Sequence, residues 1–99
     1  MVYMMSGTQN GADKMTINEI IEKAIAAGEA AQASRQAQWD AADWHARRQM
    51  ISPDADAEIT RDETLDRLLH ESGLVVGSWR EKRQIRGDAH REMIAKLNS

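Results

Sequence analysis

Ser/Thr-x-x-Glu occurs three times in this chain ahead of a stretch with helical spacing: Thr16-Ile17-Asn18-Glu19, Thr60-Arg61-Asp62-Glu63 and Ser78-Trp79-Arg80-Glu81. Each is a capping box. The hydroxyl accepts from the N3 backbone N–H while the Glu carboxylate reaches back to the N-cap N–H, so two of the donors orphaned by a helix start are satisfied. At Thr16 the box is joined by a staple, Met15 at N′ against Ile20 at N4, which fixes the direction from which the chain joins the helix. Three helix starts in a chain of 99 residues predict one all-α domain.

No proline follows Ile17 until Pro53, and the intervening residues are rich in Ala, Glu, Gln and Arg, all good helix formers. One long helix from Thr16 to about Ile51 is expected, with Gly28 its single weak point, a mark of a bend or of a close contact. Projected at about 100° per residue, its apolar residues fall into two opposed stripes. Ile17, Ile21, Ala24, Gly28, Ala31, Trp39, Ala42, Ala46 and Met50 form one. Ala26, Ala30, Ala33, Ala37, Ala41, Trp44 and Ile51 form the other. One small core covers one stripe, so the second is expected to meet a partner. Trp39 and Trp44 lie roughly 140° apart around such a helix, too far for one contact to bury both.

Ser52-Pro53 reads as a stop and restart, with Pro tolerated in a first helical turn. Past an acidic connector, a second helix is expected from Arg61 to about Ser72, with Leu65, Leu68 and Leu69 on one face and Ser72-Gly73 as its stop. A third is expected from Trp79 to about Leu97, with Trp79, Ile85, Ala89, Met93, Ile94 and Leu97 as its apolar arc and a break at Gly87-Asp88 that would make a fourth helix. Residues 1–14, small and polar after Met5, read as a flexible arm, and residues 15–99 as the single helical domain.

Composition limits what such a domain can be. Of the 41% hydrophobic residues fifteen are Ala, Ile, Leu and Val together number sixteen, and Phe is absent. At roughly 1.5 to 3 kcal/mol per buried large side chain, against about 1.5 kcal/mol of ordering cost per residue, a lone monomer is marginal, and self-association is expected. Cysteine is absent, which fits a reducing compartment. Met1 to Met5 lacks the basic flank and full apolar core of a secretory signal, and no run approaches the roughly 18 residues of a membrane span. A cytoplasmic protein without a membrane partner is expected.

No motif points to catalysis or to a cofactor, and an enzyme is not expected. Ser52 to Glu63 resembles an EF-hand loop, with Asp54, Asp56 and Glu63 as candidate ligands, but Ser replaces the acid at position 1 and Ala57 replaces the glycine at position 6. An acidic helix start accounts for the same residues. His45, His70 and His90 are isolated, and metal binding by them would need tertiary convergence.

Net charge is −3, divided as −1 over residues 13–51, −5 over 52–77 and +3 over 78–99. Arg80, Lys82, Arg83, Arg86 and Arg91 therefore make a nucleic-acid candidate, a helix-turn-helix with residues 62–72 as its first helix. The connector from Gly73 to Gly77 exceeds the usual three- or four-residue turn. The reading preferred from sequence is a non-enzymatic interaction protein, an adaptor or inhibitor of a larger machine. It would dock and self-associate through Ala26, Ala37, Trp39, Ala41, Trp44 and Ile51, with the aromatic anchors carrying most of the binding energy.

Overall fold

A computed structural model describes residues 15–99; the arm expected over 1–14 lies outside the described residues. The described residues are all-helical, with three long helices and one short one among them: α1 (Ile17–Ala41), α2 (Trp44–Arg48), α3 (Pro53–Glu71) and α4 (Trp79–Leu97). Helices α1 and α3 form an antiparallel hairpin that holds most of the interhelical contact, and α4 lies across one end of it. The radius of gyration is 17.0 Å, against about 13 Å for a compact domain of 100 residues, so the molecule is open and elongated.

Two of the three capping boxes form. At Thr16 the Glu19 N–H donates to Thr16 Oγ1 at 3.1 Å and the Thr16 N–H to Glu19 Oε1 at 2.9 Å. At Ser78 the corresponding distances are 3.2 and 2.7 Å. The box at Thr60 does not form, because α3 starts eight residues before the expected Arg61. Ser52 is its N-cap, accepting from the Ala55 N–H at 3.2 Å, and Pro53 occupies the first turn. Once the helix has begun at Pro53, backbone N–H groups near Thr60 have partners one turn back, and no cap is needed.

The expected long first helix is also corrected, since it breaks at Ala42-Asp43. Asp43 caps α2 by accepting from the Ala46 N–H at 2.9 Å, and the Trp39 carbonyl at the end of α1 accepts both the Ala42 N–H at 3.1 Å and the Arg47 guanidinium at 2.9 Å. Gly28 marks a close contact rather than a bend. A Cβ built there would lie 2.3 Å from Arg61 Cγ and 3.0 Å from the Ala57 carbonyl oxygen. Nor does Gly87-Asp88 break α4, which runs through both residues.

α3 ends in a Schellman motif. The Leu74 N–H donates to the Leu69 carbonyl at 3.2 Å and the Gly73 N–H to the His70 carbonyl at 3.1 Å, with Gly73 at φ +73°, where a side chain would be strained. The core gathers where three helices meet: Ile20, Ile21 and Ala24 of α1, Leu65 and Leu69 of α3, Ala89 and Met93 of α4, and Val75 of the connector. Met15, the expected staple residue, packs against this cluster. The other end of the hairpin is two helices thick and held by polar contacts, Gln32 to Asp54 at 2.7 Å and Arg35 to Asp56 at 3.0 Å.

Candidate interaction surfaces

The break after Ala41 leaves the two stripes of α1 facing as their spacing predicts. Ile21, Ala24 and Gly28 are buried, whereas Ala26, Ala30, Ala33, Ala37 and Ala41 are exposed. Beyond the break, Trp44 is 64% exposed and Ile51 47%. The exposed alanines run past the core onto the two-helix end, and Trp44 stands where that run stops. Ala26 lies in a shallow groove between α1 and the end of α4, lined by Glu22, Ile25, Glu29, Lys96 and Leu97, with Lys96 paired to Glu22 at 3.3 Å.

Neither tryptophan of this region is fully buried. Trp39 is half-buried, and the Arg47 guanidinium sits 5.5 Å from its ring centroid. Trp44 meets His45 edge-on at 4.9 Å and carries Arg48 at 5.0 Å. Because α2 is a separate helix, the angular separation expected for one continuous helix does not describe the pair. Trp39 and Trp44 lie on two helices, separated by the cap at Asp43.

The second surface is the first half of α4. Arg80, Lys82 and Arg83 are exposed and have no acidic partner among the described residues, whereas Arg86 lies 3.6 Å from Asp66 and Arg91 pairs with Asp88. Trp79, assigned from its spacing to the apolar arc, is 71% exposed instead. The first residue of α4 to pack on the core is Ile85, so the preceding turns project past the hairpin. Arg83 covers the Trp79 ring at 5.3 Å, a pair that the i, i+4 spacing could have signalled. Gly77, at φ +98°, leaves room for the Glu81 carboxylate, whose Oε1 a Cβ there would approach to 2.5 Å.

Hydrogen bonds from the Ser78 backbone N–H and from its hydroxyl hold the Glu81 carboxyl below the usual glutamate range. A carboxyl lowered in the folded state contributes stability that is present above its unfolded pKa and is lost as pH falls through the lower folded value. α4 should therefore fray in acid, beginning below the ordinary glutamate pKa of about 4.3. In Glu81→Gln, whose amide oxygen keeps a weaker form of the same contact, this part of the acid loss should vanish. Helicity of the two proteins followed by circular dichroism from neutral pH into acid checks this, and superimposable curves would contradict it.

The EF-hand-like residues do not make a loop. Asp54 and Asp56 lie in the first turns of α3 and bond Gln32 and Arg35 of α1, while Glu63 is seven residues beyond Asp56 on the same helix, about 10 Å along the axis. No group of three or more His, Asp or Glu able to hold a metal ion occurs among the described residues. His90 faces Asp62 at 3.2 Å and His70 faces Asp66 at 3.7 Å; His45 packs on Trp44. No described helix is long and apolar enough to cross a membrane. Comparison with protein families, with characterised proteins and with solved structures gives no match to this chain.

Proposed function

We propose that this chain is a small non-enzymatic interaction protein, an adaptor or inhibitor that docks through the outer face of α1, and that a second copy of the chain can occupy that face. The observation that carries this reading is the run of exposed alanines from Ala26 to Ala41 leading to exposed Trp44 and Ile51. It lies on a hairpin whose far end has no third long helix among the described residues. Alanine lets a second helix approach closely, and a helix pair from another copy would complete a four-helix arrangement. Trp44 and Ile51 would supply the apolar anchors that alanine cannot.

Light scattering at micromolar concentration is expected to give a mass above the 11.1 kDa of one chain. Ala37→Glu should return it to a single chain with helicity unchanged, because Glu is a good helix former. Asn18→Glu, exposed on another face, should leave the mass as it was. A single-chain mass for the unaltered protein would reject self-association.

The alternative reading is a DNA-binding regulator that uses α3 and α4 as a helix-turn-helix. Exposed Arg80, Lys82 and Arg83, without an acidic partner among the described residues, favour it. The seven residues between α3 and α4, 72–78, count against it, since the turn of that motif takes three or four. Salt separates the two readings: contacts with DNA weaken steeply as salt rises, while an apolar contact does not.

A further inference from the structure

Gly87 is the feature of α4 that packing does not explain. A glycine inside a helix costs about 1 kcal/mol relative to alanine, and a Cβ placed there would meet nothing closer than the Arg91 guanidinium at 3.7 Å, an ordinary contact. No neighbouring helix demands the glycine, in contrast to Gly28. What the missing side chain does is open a notch on the helix surface, lined by Arg80, Arg83, Gln84, Arg86 and Arg91. One turn before Arg83 stands Trp79, the most exposed large apolar side chain among the described residues, with Arg83 against its ring.

We infer that this surface binds single-stranded nucleic acid, with a base stacked on Trp79 and the phosphate backbone following the arginines across the Gly87 notch. The inference stands apart from the alanine face of α1. Two features separate a nucleic-acid strand from an acidic peptide as the occupant. An exposed tryptophan already partnered by a planar guanidinium is a platform for any base, whereas an acidic side chain has no use for it. Two of the four notch-lining cations, Arg80 and Arg83, project from the turns before Ile85 that no other described helix covers, and guanidinium groups match phosphate oxygens two at a time.

The acids among these cations are occupied. Glu81 is held by the Ser78 cap, and Asp88 is shared between Gln84 and Arg91. Asp66, from α3, faces only Arg86 of this group. A duplex is the poorer fit: the connector 72–78 is longer than the turn of a helix-turn-helix reader, and Trp79, which cannot reach a base inside a stack, would lie against the outside of the double helix.

The test is a titration with a fluorescein-labelled oligothymidylate, its duplex with oligoadenylate, and a polyglutamate peptide. The single strand should bind best and quench the intrinsic tryptophan fluorescence. With about three phosphates neutralised, the slope of log K against log salt should be near −2, roughly a 15-fold loss between 50 and 200 mM salt. Trp79→Ala should weaken binding by about 5- to 150-fold, the range for one stacked base, and abolish the quenching, while Trp44→Ala leaves both intact.

Gly87→Ala is the most discriminating variant, since it should raise the melting temperature and yet weaken binding several-fold. A structural role for Gly87 predicts the opposite sign for stability, and a merely cationic surface predicts no change in binding. Tighter binding to the duplex or to polyglutamate, an equal loss in Trp44→Ala, or no binding to the single strand at low salt would each overturn the inference.

Discussion

Leu69→Ala is expected to cost about 3 kcal/mol of unfolding free energy, within the roughly 2 to 5 kcal/mol range for removing a buried leucine. Leu69 is fully buried, and the cluster around it draws on α1, α3, α4 and the connector alike. It also supplies the carbonyl that accepts from Leu74 in the Schellman motif, so the cavity would open directly beneath the turn that sends the chain toward α4. Collapse of neighbours into the space is limited, because Ile20, Ile21 and Met93 are the other fully buried large side chains and each is held on its own helix.

The polar end of the hairpin cannot offset such a loss. Arg35 and Asp56 are partly exposed, and pairs of that kind contribute about 0 to 1 kcal/mol. For a domain of this size the melting temperature should drop by about 12 to 24 °C, measured by circular dichroism at one fixed protein concentration so that any association is held constant. Ile59→Ala, at an exposed position of α3 outside the cluster, should change it little. A loss below about 1 kcal/mol for Leu69→Ala would mean that its neighbours collapse into the space it leaves.

How far the fold can be read from the sequence follows from where each signal resides. Thr16, Ser78 and Gly73 act on backbone groups within five residues of themselves, so their effects are legible locally, and all three do what their spacing predicts. Thr60 has the same local signal as Thr16, yet Ser52 and Pro53 start the helix first and leave it nothing to cap. Ala42-Asp43 is the converse case. No proline or glycine announces the break, where Asp43 caps a new helix and Arg47 bonds back to the Trp39 carbonyl, eight residues away.

The candidate surfaces divide in the same way. Exposure of Ala33, Ala37 and Ala41 follows from helical periodicity, because α3 can cover one side of α1 and not both. Exposure of Trp79 does not. It depends on how far along α4 docking begins, and that is set by the length of the 72–78 connector and by the placement of Ile85 and Ala89 at the core cluster.

Gly28→Ala is expected to destabilise the protein by about 1 to 2 kcal/mol, although the same change on an open helix would stabilise it by about 1 kcal/mol. The sign turns on Arg61. Its Cγ would stand 2.3 Å from the new methyl group, and this atom belongs to the stem of the side chain near its own backbone, not to a free end that can swing aside. The Arg61 Nε is buried without a hydrogen-bond partner, so the guanidinium end is confined as well. The Ala57 carbonyl oxygen, at 3.0 Å, needs a shift of only a few tenths of an ångström.

Removing the stem should therefore reverse the outcome: in an Arg61→Ala background, Gly28→Ala should be neutral or stabilising, with a coupling energy between the two positions of about 1 to 3 kcal/mol. Urea denaturation of the four proteins closes the cycle. A stabilising Gly28→Ala in the presence of Arg61 would show that α1 and α3 cross with slack. Gly28→Leu carries the argument to function, because it should force the helices apart while the outer alanines keep their places on α1. If a second copy seats on α1 alone, association should survive that separation; if it needs both helices of the hairpin as one platform, association should be lost together with the close crossing.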